Sequence, residues 1–480
     1  MCSSRSQKKM ANHRYGTIEG NDKNFLNDEE NNVLSISDAI ERLGHGGLQQ
    51  KMLVIFGFCY GSDAIEILLL SYLSIVLQTE WGLSNTERAS ITSSVFAGAI
   101  LGSVVLGTLG DRIGRRPIGL ASGFLISVFG VLTATTSTFP WLLAARSFVG
   151  VGIGGLMAPY DIFAEFSPTK QRGSDLLYLQ FFWTAGATYV TICAYFALGL
   201  GHNNWKLLVV LCSIPCWIGF IGTWFWIPES PHWLCATGKP ERALEVLRSC
   251  ASQNGKDPDE IFPESIRLTM DSTPTMSLSQ SCGWICDGKW RRLFLLLAVP
   301  WVGFGVLYYG TILVTTEIFS HQHGGNVHFN FVDIGVATSS ELVGICMLLY
   351  TVDRWGRVKS NSFTFLFSGL CIAALCFGTS TFHISVIAQL LLAYGARLFS
   401  MAASCVTWLC TPEILTTELR MTGHGFVNAA SRIAAAITPF VVQRGTPRPE
   451  IALELLAVSV FVALISLLLP ETAGKALDSV

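Results

Sequence analysis

Charged residues are scarce in this chain of 480 residues: they make up 14% of it, whereas hydrophobic residues make up 50%. Soluble domains carry about 25% charged residues, so the composition argues against a soluble protein and is typical of a polytopic membrane protein. The formal net charge is only −2, so nothing points to a nucleic-acid partner. The first long apolar run begins near Met52, and no cleavable signal peptide is visible before it.

The chain also lacks the residue spacings that mark enzymes and metal sites. No Ser/His/Asp, metal-ligand or phosphate-binding pattern stands out in the polar segments, so we expect no enzymatic activity, no cofactor and no metal. Most of the fourteen cysteines lie within apolar runs, where they act as small hydrophobic residues, and we expect no disulfides. Cys282 and Cys286 form an isolated C-x3-C pair, which is a weak zinc signal.

Apolar runs of about 20 residues, the length that crosses a bilayer core, recur along the chain. They predict twelve transmembrane helices, six on each side of a hydrophilic segment. We place these spans at 52–77, 89–110, 118–137, 140–164, 175–200, 206–227, 292–316, 332–351, 360–380, 384–410, 423–443 and 450–470. The expected domains are a tail at 1–51 with a short amphipathic helix capped by Ser37, a bundle at 52–227, a central loop at 228–290, a bundle at 291–470 and a tail at 471–480.

Lysine and arginine residues are concentrated on one side of these predicted spans. That side holds the N-terminal tail, the arginines of 112–116, the central loop and the basic residues of 354–359. The other side holds only Arg88, Lys206, Arg444 and Arg448. Because basic loops stay in the cytoplasm, both termini, the central loop and both tails are predicted to be cytoplasmic.

One short motif occurs twice, half a chain apart. Residues 107–116 read GTLGDRIGRR, and residues 353–357, 242 positions after Asp111, read DRWGR. Gly114 and Gly356 can adopt the positive φ of a tight turn, and Gly107 and Gly110 are expected to let helices approach closely. Asp111 and Asp353 are expected to accept hydrogen bonds from helix N-termini or from neighbouring arginines. The repeat indicates that one unit has been used twice.

A second short motif follows the last span of each predicted bundle. Residues 228–231 read PESP, and residues 470–472 read PET. An amphipathic helix at 240–251, with Pro240 in its first turn, is expected to pack under the bundle.

These motifs resemble the major facilitator superfamily over residues 37–475. The repeated turn motif, the Arg146-x3-Gly150-x-Gly152-x-Gly154-Gly155 pattern and the PESP and PET marks carry the likeness, the last two being similar to its sugar-porter-like and organic-ion branches. Residues 63–66 (DAIE) and 308–317 (YYGTILVTTE) resemble the synaptic-vesicle-related-protein branch, which has relatives that carry nicotinate and other small aromatic acids. The paired glutamines of hexose carriers are absent from the seventh span. The resemblance implies an all-α membrane protein with two six-helix bundles, inverted repeats within each, and a substrate site between them near mid-membrane.

Ionisable side chains inside the predicted spans indicate a partner or a function, because placing a charge in a bilayer costs free energy. Asp63 and Glu66 lie three residues apart in the first span, which predicts that they share one helix face. Two carboxylates there can bind a proton or a cation, and Arg146 in the fourth span is their natural partner. We predict a proton- or cation-coupling site at Asp63, Glu66 and Arg146; a static structural pair is the alternative.

Further polar residues in the spans form a predicted substrate site. They are Gln180, Trp183, Tyr308, Tyr309, Glu341, Arg397, Asn428 and Arg432, and Thr184 and Trp408 are further candidates. Arg397 and Arg432 can pair with Glu341 or bind a substrate carboxylate. A cytoplasmic gate of charge pairs is predicted at Asp111, Arg112, Arg116, Glu165, Arg172, Glu229, Asp353, Arg354, Arg357, Glu413, Arg420 and Glu471, with fixed loop braces as the alternative.

The resulting hypothesis is an alternating-access carrier of a small organic ion, either a nicotinate-like acid or an organic cation. A proton is the expected co-substrate, the bilayer is the expected environment, and a monomer in a plasma or vesicle membrane is the expected state. Two alternatives are a sugar or polyol carrier of the same fold and a vesicle-membrane binding protein or sensor that does not transport.

Overall fold

The computed structural model describes residues 33–200, 204–269, 288–323, 326–415, 420–443 and 445–473. Several predictions fall outside this part of the chain. They concern the tail segments 1–32 and 474–480, the cysteine pair Cys282 and Cys286, and the side chain of Arg420.

The first half of the chain is helical from residue 36 onward, after one short strand. Its elements are β1 (Val33–Ser35), α1 (Ile36–Leu43), α2 (Gly47–Trp81), α3 (Asn85–Ile113), α4 (Arg115–Thr133), α5 (Phe139–Gly154), α6 (Met157–Phe166), α7 (Thr169–Ala194, continued by a π-helical turn at Tyr195–Gly199) and α8 (Trp205–Trp226).

A small helical segment and a second helical half follow. The segment contains α9 (Pro231–Ala236), α10 (Pro240–Gln253), α11 (Pro258–Ile261) and β2 (Arg267–Thr269). The second half contains α12 (Gly288–Ile318), β3 (Ser320–His323), β4 (Asn326–Phe329), α13 (Phe331–Trp355), α14 (Arg357–Phe377, continued by a π-helical turn at Gly378–Phe382), α15 (Val386–Ile414), α16 (Arg420–Val442) and α17 (Arg448–Ser466). Strands β3 and β4 form an antiparallel hairpin.

Twelve helical stretches in the described chain are long and apolar enough to cross a membrane. They are α2, α3, α4, α5 with α6, α7, α8 and α12 to α17, which confirms the prediction of six spans on each side of a polar segment. The first stretch is longer than predicted and begins at Gly47. The short amphipathic helix before it ends at Leu43, and its N-cap is Ser35 rather than the predicted Ser37. Residues from Gly47 onward, which we expected in the tail, form the first turn of α2.

Glycine makes the crossing of α3 and α5 closer than side chains permit. A Cβ atom on Gly150 would overlap the carbonyl oxygen of Val95, and one on Gly98 would overlap that of Ser147. The prediction that Gly107 also serves helix packing is wrong. Gly107 lies on the exposed side of α3, and a Cβ there meets nothing within 4 Å.

We therefore expect Gly150→Ala to destabilise the fold while Gly107→Ala does not. The added methyl group at position 150 must push α3 and α5 apart, and overpacking of this kind costs about 1–3 kcal/mol. Thermal unfolding of the full chain in detergent measures the difference. Equal melting temperatures for the two variants would contradict the close helix crossing.

A compact unit, here called the cap, is formed by residues 33–46 and 228–269. Strand β1 pairs in parallel with β2, so that Val33 lies opposite Arg267. Helix α10 confirms the predicted amphipathic helix, and its apolar face is buried in one cluster with Phe163 and Phe166 of α6. The cap therefore packs on the first half and fixes the start of α2.

In the described chain, three pairs of helices make the most extensive contacts between the two halves. Helix α2 packs against α12, α3 against α16, and α7 against α13. The turns at 111–116 and 353–357 lie at one end of the bundle, here called the basic end. Arg88 and Glu317 lie at the other, here called the distal end. The candidate site lies between these ends, where the two halves face each other.

Candidate functional site

A small cavity lies between the two halves, midway along α2 and α16. It is lined by Tyr60, Asp63, Met157, Gln180, Trp183, Phe304, Tyr308, Tyr309, Met401, Ser404, Trp408, Asn428 and Arg432. Its volume is about 30 Å³, room for about two water molecules. An organic molecule therefore enters only if the walls move apart.

One ion pair crosses this cavity from half to half. Arg432 of α16 donates from Nη2 to Oδ2 of Asp63 in α2 at 3.3 Å. The Asp63 and Arg432 side chains are 8% and 12% exposed. Asp63 Oδ1 and Arg432 Nη1 are buried and have no hydrogen-bond partner among the described residues. The pair is thus only partly satisfied, and each member keeps an unused polar atom.

Aromatic side chains form much of the remaining wall. The ring centroids of Tyr60 and Trp183 are 5.5 Å apart, and those of Tyr308 and Tyr309 are 5.4 Å apart. Trp183 donates from Nε1 to the Tyr308 hydroxyl at 2.5 Å, which joins α7 of one half to α12 of the other. Tyr60 donates to Oε1 of Gln180 at 3.3 Å. Such a wall suits a ligand with an apolar or cationic group.

Two further ion pairs are buried, one inside each half. Arg146 donates to Glu66 at 2.5 Å, and Arg397 donates to Glu341 at 2.6 Å. All four side chains are at most 2% exposed. Arg146 and Arg397 both lie in the fourth spans of their halves, whereas Glu66 lies in the first span of its half and Glu341 in the second span of the other, so only the arginines follow the internal repeat.

The predicted pairing of the first-span acids is wrong in one respect. Asp63 and Glu66 do not share a site, because Asp63 binds Arg432 and Glu66 binds Arg146. Residues three apart on an α-helix differ by about 60° in direction and 4.5 Å in height, which is enough to give them different partners.

The cavity contains most of the predicted substrate residues but not all. Gln180, Trp183, Tyr308, Tyr309, Asn428 and Arg432 line it, together with the further candidate Trp408 and with Asp63, which was assigned to coupling. Glu341 and Arg397 do not line it. They lie behind Tyr308, whose hydroxyl donates to Glu341 at 3.3 Å.

Sequence reasoning missed Tyr60, Met157, Phe304, Met401 and Ser404 as lining residues. Two of them carried a usable signal. Tyr60 precedes Asp63 by three residues, and Met157 follows the end of α5 at the Gly154–Gly155 pair.

A set of polar contacts joins the halves at the distal end. Each pairs a residue of the first half with one of the second. They are Arg88 with Glu317 at 2.7 Å, Ser71 with Thr316 at 3.1 Å, Ser74 with Gln443 at 3.1 Å, and Thr79 with Gln322 at 3.2 Å. The distal end is therefore closed in this conformation. Sequence reasoning placed Arg88 on this side without assigning it a partner.

At the basic end, a carboxylate caps the helix after each turn motif. Glu229 Oε1 accepts from the backbone N–H groups of Arg115 at 3.0 Å and Arg116 at 3.1 Å. Glu471 accepts in the same way from the N–H groups of Arg357 at 2.8 Å and Val358 at 3.2 Å. Gly114 and Gly356 both have positive φ, as predicted.

Glu471 shows how strong this capping is. Partial burial raises the pKa of Glu471, but hydrogen bonds from four backbone N–H groups outweigh it and leave the pKa below its ordinary value. The carboxylate is therefore ionised at neutral pH, as capping a helix N-terminus requires.

The other predicted gate residues contact their own half. Asp111 pairs with Arg115 at 2.8 Å, and Arg357 pairs with Asp353 at 2.5 Å and with Glu413 at 3.0 Å. Four others contact neighbouring groups. Glu165 accepts from the Ser230 hydroxyl, Arg116 donates to the Trp224 carbonyl, Arg172 donates to the Ser167 carbonyl, and Arg354 stacks on Tyr350. Arg112 is exposed. In this conformation these residues brace each half; their action as a gate stays a prediction.

The comparison with known proteins decides the family. The model of the family described as sugar (and other) transporter matches residues 51–480. The chain belongs to this family of the major facilitator superfamily. The transporter is 30% identical to the synaptic vesicle 2-related protein of Rattus norvegicus over 490 aligned residues, which cover 95% of this chain and 84% of that one. The resemblance to the synaptic-vesicle-related branch is thereby confirmed.

Two other relatives extend this picture. The transporter is 28% identical to organic cation/carnitine transporter 7 of Arabidopsis thaliana over 453 aligned residues, covering 86% of this chain and 88% of that one. Its fold is similar to a partially occluded inward-open structure of the xylose transporter XylE from E. coli, with a TM-score of 0.69, 20% identity and coverage of 90% of this chain and 99% of that one. The fold class is confirmed, and these relatives are transporters rather than enzymes.

Proposed function

We propose that this transporter carries a small organic ion by alternating access and binds it between Asp63 and Arg432. The single observation that carries the proposal is the ion pair that crosses the cavity from one half to the other. Because each half contributes one charge, a ligand that takes over either contact acts directly on the attachment between the halves.

The composition of the cavity supports an ion over a sugar. Aromatic side chains and one ion pair dominate the wall, whereas the amides are limited to Gln180 and Asn428. A neutral polyol that separates Asp63 from Arg432 replaces neither charge, which costs free energy in a buried site. An organic ion brings a replacement charge with it.

The proposed site of proton coupling is not the cavity but a second ion pair. The Glu66–Arg146 pair lies inside the first half and does not line the cavity, so it is separate from the proposed substrate site. We propose that this pair is the coupling element and that the basic end faces the cytoplasm, as the distribution of lysine and arginine predicts. Vesicle membranes are the proposed location, since a matched relative is named for the synaptic vesicle.

Uptake into vesicles made with the purified full chain tests the proposal. Tetraethylammonium, nicotinate and xylose are offered separately at two external pH values. We expect one of the two ions to accumulate above protein-free vesicles, and Asp63→Asn and Arg432→Gln each to reduce its uptake to background because each leaves one buried charge unpaired.

Arg242→Gln is the matched control, because Arg242 lies exposed on α10 of the cap, away from the cavity. This variant should transport as the unchanged chain does. Faster uptake of xylose than of either ion, or unchanged ion uptake by Asp63→Asn, would contradict the proposal. No flux of any of these compounds, or of the zwitterions used as binding probes below, would favour the non-transporting alternative.

A further inference from the structure

The cavity between the halves contains both signs of charge and no excess of either. Asp63 and Arg432 are the charged members of its wall among the described residues, and the other lining side chains are aromatic, sulfur-containing or neutral polar. The charges of the site itself therefore cancel when both groups are ionised. Any ligand that changes this balance leaves a buried charge without a partner.

Among the ion pairs described between the spans, the Asp63–Arg432 contact is also the longest. It consists of one hydrogen bond at 3.3 Å, compared with 2.5 Å for Glu66–Arg146 and 2.6 Å for Glu341–Arg397. An arginine and a carboxylate can form two parallel bonds, and this pair does not. Asp63 Oδ1 and Arg432 Nη1 remain buried and unpaired among the described residues.

These two unused atoms have opposite requirements. Asp63 Oδ1 needs a donor or a cation, and Arg432 Nη1 needs an acceptor or an anion. A ligand with only a positive charge would take Asp63 and leave Arg432 alone in a site with little water. A ligand with only a negative charge would take Arg432 and leave Asp63 alone. Both outcomes are costly, because an unpaired buried charge is among the least stable arrangements in a protein.

We propose that the ligand of this site is a zwitterion, with an ammonium group that binds Asp63 and a carboxylate that binds Arg432. This inference rests on the proposed function, since it specifies the ion that the same cavity carries. A zwitterion replaces the direct contact between the halves with two contacts and keeps the site neutral. The rings of Tyr60, Trp183, Tyr308 and Tyr309 provide π faces for a quaternary ammonium.

Matched probes separate the two charges on the unchanged chain. Glycine betaine contains both charges, its methyl ester contains only the cation, and 3,3-dimethylbutanoate is an isosteric anion. A longer set consists of 4-(trimethylammonio)butanoate, its methyl ester and 5,5-dimethylhexanoate. Binding to the full chain in detergent is measured by calorimetry at pH 7, without any need for flux.

We expect the zwitterion of at least one set to bind at least about tenfold more tightly than both of its single-charge partners, because each partner leaves one charge of the site unmatched. The inference is overturned if an ester or an isosteric anion binds as tightly as its zwitterion, or if neither zwitterion binds. An anion that binds best and more tightly at lower pH would instead indicate that Asp63 takes up a proton.

Variants then assign each end of the ligand. Asp63→Asn should remove the preference for the zwitterion over the anion, and Arg432→Gln should remove its preference over the cation. Arg242→Gln should keep both preferences. If both cavity variants weaken all probes equally, the pair only holds the site together and the assignment of the two ends fails.

Calorimetry measures binding and vesicle uptake measures transport, so the inference and the proposed function can fail independently. Selective binding of a zwitterion without flux in vesicles would overturn the proposed function and support the inference. Flux of a singly charged ion, with no preference for a zwitterion in binding, would support the proposed function and overturn the inference.

Discussion

A disulfide between positions 71 and 316 should abolish transport, and its reduction should restore transport. Ser71 of α2 and Thr316 of α12 lie in opposite halves, with their hydroxyl oxygens 3.1 Å apart and both side chains 2% exposed. Each oxygen is one bond from its Cβ, so the two Cβ atoms lie close together, and a disulfide forms where the Cα atoms come within about 4.4–6.8 Å of each other. A covalent link there holds the distal end closed, and alternating access requires that end to open.

The measurement compares the Ser71→Cys/Thr316→Cys variant in vesicles before oxidation, after oxidation with copper phenanthroline, and after reduction. We expect substrate uptake to fall to background on oxidation and to return with reductant. The controls are the Ser71→Cys and Thr316→Cys variants, each made alone. Each keeps the native thiols, including the exposed Cys346, but cannot form the new bridge. Uptake that survives full cross-linking would show that the distal contacts do not open during transport.

The sequence predicted the helices well because the bilayer leaves few alternatives for an apolar run of this length. The repeated turn was also predictable, since Gly114 and Gly356 take the positive φ that their position in the motif indicated. Charge pairs within the turn followed from closeness in the sequence, as Asp353 lies in the last turn of α13 and Arg357 begins α14 four positions later.

Contacts between distant segments were much less predictable. Strand β1 has three residues and pairs with β2 more than 230 positions later, which no local pattern reveals. The partner of Asp63 was missed for a related reason. Helix α2 is apolar on all sides, so its sequence does not show which face meets the second half. Arg88 and Glu317 were likewise visible as charges at helix ends, but their pairing depends on how the halves dock.

Removal of one member of the Glu66–Arg146 pair should destabilise the transporter strongly, and replacement of both should restore stability. Both side chains are essentially inaccessible, at 1% and 0% exposure. Glu66→Leu alone leaves the Arg146 charge buried without its partner, which costs about 3–5 kcal/mol. Glu66→Leu/Arg146→Met leaves no charge behind, and such replacements are often neutral or stabilising. Thermal unfolding of the three chains in detergent measures the difference.

The double variant then separates a coupling role from a structural one. If Glu66–Arg146 only holds α2 and α5 together, apolar packing of similar volume replaces it, and uptake against a gradient keeps its dependence on pH. If the pair couples transport to a proton, as we propose, the folded double variant still exchanges substrate across the membrane but no longer accumulates it at any pH, because the group that accepts the proton is gone. Exchange requires substrate binding, so it shows that the cavity at Asp63 and Arg432 is intact. The loss of accumulation then cannot result from a loss of substrate binding. Retained, pH-dependent accumulation in the double variant would remove the pair from the coupling mechanism and leave it as a packing element.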